Sequence, residues 1–490
     1  MRIATSIVRM MLCAALALPL LTIVSCKGKQ PQKECITFQE MKDPTNDTLS
    51  DWSHVAKGLH ASFISIDEKL PKSVAPEITP VKQTTVTGWK GERVAAQLLL
   101  WSAEETQQVE VEIGEFKGDG NVLPASIVQA RFVRYVMTDE FAGGCGYRKP
   151  EDFAASLAPD MLDTLECFNL EAKAVRPLWL TIHIPTDANA GNYKGKITLH
   201  AKKQRSQSFD IELNVVDRVL PEPSEWLYHL DLWQHPTAVA RVHDLELWSD
   251  AHFEKMRPLM KMLADGGQKV ITATLNKDPW NHQCYDAYAD MITWTKNEDG
   301  SWTFDYTVFD RWVEFMIDLG INKMINCYSL LTWNNQMHYN DMQKKELVTV
   351  ELKAQSKEYE ALWGVFLPDF TRHLREKRWL EITNIAMDER GPEDMQAALK
   401  VLNRYAPELG VSLADNHKSY QQYPWIKDIC VGAWTTPTQE EITARREKGL
   451  NTTYYVCCSA KFPNTFTFSP SGEAVYLAWH AVALDLDGFL

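Results

Sequence analysis

The chain has 490 residues, 45% hydrophobic and 24% charged, with 23 glycines and 23 prolines, a composition that excludes a disordered chain, a collagen-like polymer and a polytopic membrane protein. At roughly 150 residues per domain the length predicts three domains, or two if one is a large barrel. A formal charge of −14, from 51 Lys and Arg against 65 Asp and Glu, repels phosphate backbones, so nucleic acid is not an expected partner.

Arg2 and Arg9 flank the start of an apolar run, Met10 to Val24, that leads into Ile23-Val24-Ser25-Cys26. The pattern predicts an export leader over residues 1–25. An aliphatic residue, a small residue and then Cys resembles the bacterial lipobox, which makes Cys26 the expected lipidation site; in a plain leader Cys26 would be incidental. Residues 26–50 are expected to be a tether. The whole then reads as an exported bacterial lipoprotein, periplasmic or anchored at the outer membrane or cell surface, that meets the membrane only through its lipid. There is no CxxC pair and no Cys/His cluster at zinc spacing, so no metal site is expected. Cys327, Cys430 and Cys457 lie in apolar strand-like runs and read as small buried side chains.

From about Thr84 to Val216 the hydrophobic period is two, as in Leu178-Trp-Leu180-Thr-Ile182-His-Ile184 and Phe209-Asp-Ile211-Glu-Leu213-Asn-Val215. Alternation bounded by turn residues marks half-buried strands and predicts a β-sandwich, placed at residues 51–220. Pro221-Glu-Pro223-Ser is a stiff connection.

Beyond it, over residues 225–490, short apolar strands alternate with amphipathic helices. The expected strands are Leu227–Leu232, Val270–Thr274, Met324–Tyr328, Ile382–Met387, Val411–Ala414, Ile429–Trp434 and Thr453–Val456. The faces Phe253, Met256, Met260, Leu263 and Met395, Ala398, Leu402, Tyr405 have helical spacing. Seven alternations predict a parallel (β/α)8 TIM barrel. An eighth strand would start near Asp487-Gly488-Phe489, where the sequence stops, so either the barrel is completed by other means or, as expected here, it is cut short with unpaired edges.

In such a barrel the site lies at the C-terminal ends of the strands. The residues there are Trp233-Gln-His235, Trp280-Asn-His282, Ser329 to Trp333, Asp388-Glu389-Arg390, Asp415-Asn416-His417, Trp434-Thr-Thr436 and Tyr454-Tyr455. A rim of Trp, His, Asn and carboxylates suits a neutral, hydroxyl-rich ring, and it lacks the cations a phosphorylated ligand would want. Trp233, Trp333, Asn416, His417, Trp434 and Tyr455 are the candidate binding residues; His235 and His282 are too loosely placed to assign.

Asp388 and Glu389 carry the candidate chemistry. Consecutive strand residues face opposite ways, so the two share a pocket only if the backbone bends at that strand end. Glu389 would then protonate a leaving oxygen, and Asp388, staying ionised, would hold a nucleophile supplied by the substrate, a 2-acetamido carbonyl oxygen. The alternative is that these acids merely open the next helix.

The run Ile385-Ala-Met-Asp388-Glu389-Arg390-Gly-Pro, the segments Thr453-Tyr-Tyr455-Val-Cys-Cys458 and Pro463-Asn-Thr-Phe466, and the turn Gly191-Asn-Tyr-Lys-Gly195 resemble glycoside hydrolase family 123 from about residue 50 onward. The resemblance implies an exo-acting β-N-acetylgalactosaminidase that retains configuration by neighbouring-group participation, without metal or organic cofactor. It makes Glu389 the general acid/base and Asp388 the residue that orients the acetamido group. The expected partner is a glycan or glycolipid ending in β-linked N-acetylgalactosamine. A non-catalytic glycan-binding lipoprotein and a β-N-acetylglucosaminidase are the alternatives.

Overall fold

The computed structural model of the chain describes residues 35, 39–43, 50–139, 155–457, 460 and 462–490. The expected leader and the lipidation site Cys26 lie outside the described residues.

Two sheets form the N-terminal unit. The first orders His60–Ile64, Arg93–Ser102, Ala174–His183, Val128–Asp139 and Ala155–Leu162, all antiparallel. In the second, Gln83–Lys90, Gln207–Val219, Gly191–His200, Thr106–Ile113 and Cys167–Leu170 follow one another, the first pair parallel. The alternation read from the sequence faces inward as expected. Leu178, Leu180 and Ile182 of one sheet share a core with Phe209, Ile211, Leu213 and Val215 of the other, and each buried side chain contributes roughly 1.5–3 kcal/mol. In the run Leu98 to Trp101 every residue is buried, because Trp52, Val55 and Ala75 cover the outer face of the first sheet.

The expected tether is docked along part of its length. Cys35 is disulfide-bonded to Cys167. The Glu40 carboxylate lies 2.6 Å from Arg176, 3.1 Å from Arg134 and 2.8 Å from Lys72. Burial alone would raise its pKa, but Arg176 and Lys72 outweigh that and hold it at about 2.

The C-terminal unit is built on one eight-stranded sheet whose strands we number β1 (His229–Leu230), β2 (Val270–Thr274), β3 (Met324–Tyr328), β4 (Thr383–Asp388), β5 (Gly410–Asp415), β6 (Asp428–Gly432), β7 (Asn451–Tyr455) and β8 (Gly488–Phe489). The spatial order is β1-β8-β7-β6-β5-β4-β3-β2 and every pair is parallel. A parallel bridge between Leu230 and Gln268 links the two ends of this row. Helices follow each of the first seven strands: α1 (Pro236–Val242) and α2 (Asp250–Asp265), then α3 (Thr307–Asp318), α4 (Lys357–Lys377), α5 (Pro392–Tyr405), α6 (Ser419–Gln422), α7 (Gln439–Arg446) and α8 (Ser471–Ala483). On α5 the predicted stripe Met395, Ala398 and Leu402 is buried.

The unpaired edge expected at the eighth strand is a point of correction. Gly488–Phe489 pairs with His229–Leu230 on one side and Thr453–Tyr454 on the other. The close pairing requires glycine at 488, since a Cβ there would lie 1.9 Å from His229 O. Two hairpins, Thr293–Lys296 with Trp302–Asp305 and Gln336–Asp341 with Glu346–Glu351, are inserted after β2 and β3 and join in a separate four-stranded sheet.

Candidate active site

Asp388 is the last residue of β4 and is paired with Ala414 of β5. The next residue, Glu389, has a φ of +46° and donates its N–H to Ala414 O at 2.8 Å. This is the bend required for neighbouring carboxyls to share a pocket, and a left-handed glutamate costs on the order of 1 kcal/mol or more, which the surrounding ladder must offset. The alternative role as a helix opening does not hold: α5 starts at Pro392 after Gly391, and the acids of its first turn are Glu393 and Asp394.

Each carboxyl has its own partner. Trp280 Nε1 donates to Asp388 Oδ2 at 2.8 Å, while the Tyr455 hydroxyl, at the end of β7, donates to Glu389 Oε1. Asp388 is only 9% exposed. Burial, then the neighbouring Glu389 charge, push its pKa up to about 7 against the favouring influence of Trp280, Arg390 and Trp333. Against the expectation that Asp388 stays ionised, burial and the neighbouring Glu389 charge disfavour its carboxylate. Burial and the Glu389 carboxylate drive the Tyr455 phenol far upward, so it remains a donor.

Around Asp388 lies an aromatic nest. Trp233, just after β1, lies 4.6 Å from Trp280 and 5.4 Å from Tyr328 between ring centroids. Trp280 in turn lies 4.5 Å from Tyr288 and 4.8 Å from Tyr328. Trp434, after β6, is 51% exposed and meets Tyr455 edge-on at 5.6 Å. Trp333 is 37% exposed, and its backbone N–H donates to Pro279 O. Asn416 Oδ1 is buried without a hydrogen-bond partner among the described residues, as are Trp233 Nε1, His235 Nδ1, and Nε and Nη1 of Arg390. His417 stands exposed on the turn after β5, where its backbone N–H donates to Asp415 Oδ1.

The structure thus gathers Trp233 and Asp388 through the nest, sets Trp333 beside the Asp388 carboxyl, and joins Glu389, Tyr455 and Trp434 in a second chain of contacts. Trp280 and Tyr328 are the contributors that sequence reasoning left without a role. Trp280 stands in the predicted rim and Tyr328 at a predicted strand end, but their convergence on Asp388 is a contact between strands, invisible in either segment alone.

An acid pair at the C-terminal ends of parallel strands, Asp388 buried and Glu389 half-buried beside indoles and phenols, is an arrangement that suits a sugar ligand. Residues 233–490 match the catalytic-domain model of glycoside hydrolase 123, and residues 63–201 match the glycoside hydrolase 123 N-terminal domain. The chain belongs to glycoside hydrolase family 123 and is a glycosidase. A family 123 glycoside hydrolase from Clostridium perfringens, studied for glycolipid glycan hydrolysis, superposes with a TM-score of 0.80 at 27% identity, covering 88% of this chain and 77% of that one. A family 39 glycoside hydrolase from Bacteroides cellulosilyticus aligns over 77% of this chain and 72% of its own at 11% identity, and its TM-score of 0.33 carries no weight. No curated protein matches the chain.

Proposed function

We propose that the protein is an exo-acting, configuration-retaining glycosidase that releases terminal β-linked N-acetylgalactosamine, with the substrate's own 2-acetamido group as nucleophile. The observation that carries this reading is the bend at Glu389, which gives two adjacent carboxyls different partners while keeping them close enough for the Glu389 charge to act on Asp388. One carboxyl buried in an aromatic nest suits a group that holds the acetamido N–H; the other, beside a phenol and an exposed indole, suits the leaving-group side.

In the reaction so read, the acetamido N–H donates to Asp388 and the acetamido carbonyl oxygen attacks C1. The bond from C1 to the leaving oxygen breaks as Glu389 gives that oxygen its proton, leaving an oxazolinium ion whose charge Asp388 offsets. Glu389, now a carboxylate, takes a proton from a water that attacks C1 from the face the leaving group vacated. The C1–O bond to the acetamido group opens and the sugar leaves with β configuration. Trp233, the half-buried indole of the nest, stacks against the sugar while the buried Trp280 holds Asp388, and Trp434 takes the leaving group. The glycolipid studies of the Clostridium relative support a glycolipid or glycan end as substrate.

The two N-terminal sheets read as the expected β-sandwich. The parallel order, the helices between strands and the bridge from Leu230 to Gln268 support a (β/α)8 barrel. The lipobox-like Cys26 supports a lipid anchor and a periplasmic or surface location. The test is hydrolysis of the p-nitrophenyl 2-acetamido-β-galactoside and β-glucoside by the chain without residues 1–26. The galactoside should be preferred, with the β sugar appearing first by proton NMR and turnover falling in Glu389→Gln. A folded protein that hydrolyses neither contradicts the proposal.

A further inference from the structure

Asp278 stands on the turn that leaves β2, 5% exposed, and both of its carboxylate oxygens are taken by the backbone of that turn. Trp280 N–H donates to Oδ1 at 3.0 Å and His282 N–H to Oδ2 at 2.8 Å. The turn needs such a fastening, because Asn281 and His282 both lie in the left-handed region, with φ of +50° and +59°, a conformation that is costly for side chains other than glycine.

The same turn holds the one that leaves β3. Trp333 N–H donates to Pro279 O at 2.8 Å, and Asn334 Nδ2 donates to Asn281 Oδ1 at 2.9 Å. The indoles carried by the two turns converge on one carboxyl: Trp280 Nε1 donates to Asp388 Oδ2 at 2.8 Å, and the Trp333 side chain also favours the Asp388 carboxylate through hydrogen bonding. Contacts with Trp233, Tyr288 and Tyr328 restrain the plane of the Trp280 ring. Where its N–H lies within that plane follows from the backbone that carries it, so the turn is what sets the aim.

We propose that Asp278 is a positioning residue for the reaction: by fixing residues 278–282 it aims the Trp280 and Trp333 indoles at Asp388 and so keeps that carboxylate available to the substrate. The inference rests on the reading of Asp388 as the group that works ionised, and it gives Asp278 no contact with the sugar. A plain charge effect is the alternative, and the two have opposite signs. The Asp278 charge is felt at Tyr288 in the nest. If Asp278 were only a neighbouring negative charge, its removal would ease the ionisation of Asp388; if it aims donors, its removal makes ionisation harder. The titratable groups that share the field of Asp388 are Glu389 and Arg390 next to it, Tyr328 on β3, Cys430 on β6 and Tyr455 on β7, and all of them stay in place in the variants below.

The experiment follows kcat/KM between about pH 5 and 9 on a 2-acetamido-β-galactoside with an activated leaving group, for the wild type, Asp278→Ala, Asp278→Asn, Trp280→Phe and the double variant Asp278→Ala/Trp280→Phe. In Asp278→Ala the acid limb should move up by about one pH unit, the size of one charge-assisted hydrogen bond, so that the loss is roughly tenfold near pH 6 and within about threefold near pH 9. Asp278→Asn removes the charge but keeps an acceptor for Trp280 N–H, and its limb should rise by less than about half as much. Trp280→Phe should move the limb in the same direction, and the double variant by less than the two shifts added, since turn and indole act as one unit. Should Asp278→Ala fail to fold, Asp278→Ser replaces it, because one hydroxyl cannot accept from both N–H groups, and the same direction is expected. A limb that stays in place or moves to lower pH, or a loss equal at every pH, would overturn the assignment while leaving the glycosidase reading intact. A folded wild type that hydrolyses no 2-acetamido sugar would overturn both.

Discussion

Ionising Asp388 in the free enzyme means placing charge in an aromatic pocket beside a second carboxyl, and a rise from 3.8 to about 7 corresponds to a penalty on the order of 4 kcal/mol. One charge-assisted hydrogen bond from an acetamido N–H returns roughly 1.5–3 kcal/mol of this. Since the ionised form of Asp388 is the working one, kcat/KM for a substrate whose activated leaving group does not need Glu389's proton should rise with pH through about 7, and the acid limb of kcat should lie roughly one to two pH units lower. A pH profile of both parameters checks this, and coincident limbs would count against substrate stabilising the charge. In Glu389→Gln, assayed with an activated leaving group, the kcat/KM limb should move to lower pH because a neighbouring negative charge is gone. The same variant should lose most activity on poor leaving groups and less on activated ones, whereas Asp388→Asn should lose on both. Equal losses of Glu389→Gln on the two substrates would speak against its acid role.

At the level of elements, glycines set two close approaches. A Cβ on Gly432 would lie 2.7 Å from the Trp434 ring, so that indole rests across the end of β6 only because the position is bare. Trp434 is exposed and can move, so Gly432→Ala should leave stability within about 1 kcal/mol of wild type. It should instead raise KM roughly tenfold for substrates whose leaving group rests on Trp434, an oligosaccharide among them. At Gly488 the obstacle is backbone, His229 O, and the strand has only two residues. Gly488→Ala should therefore cost about 3 kcal/mol in a denaturant titration. A wild-type midpoint for this variant would show that the β1–β8 pairing contributes little.

Across the whole molecule, the N-terminal segment is fastened by a disulfide between residues 132 apart and by a carboxylate among buried cations. Arg176 is 2% exposed and loses its counter-charge in Glu40→Gln, whereas Arg134 keeps Asp163 at 3.3 Å, so the change should cost roughly 3 kcal/mol at neutral pH. Glu40's pKa is lowered from its ordinary 4.5 to about 2, so its contribution is complete above pH 4.5 and lost as pH falls through about 2. Urea midpoints of the two proteins should therefore converge in acid; a gap that persists at pH 2 would contradict the ion-pair origin. The sequence made the repeating parts legible: the period of two from Thr84, the alternation after Trp226, and an acid pair at the end of β4. These are local patterns, set by which face each element buries. The docking of Glu40, the partner of Cys35, the two-residue β8 and the nest joining Trp233, Trp280 and Tyr328 are contacts across long stretches of chain, and no local period records them. The Asp388 shift is likewise a product of enclosure, so its residue could be named from the sequence while its protonation could not.

The central claim, attack by the substrate's acetamido oxygen, is tested most directly by kcat/KM across p-nitrophenyl β-galactosides bearing N-acetyl, N-fluoroacetyl, N-difluoroacetyl and N-trifluoroacetyl groups. Fluorine withdraws electron density from the carbonyl oxygen, so the rate should fall steeply and steadily along the series. A flat series would contradict the account, because an enzyme carboxylate or a water would then be the nucleophile.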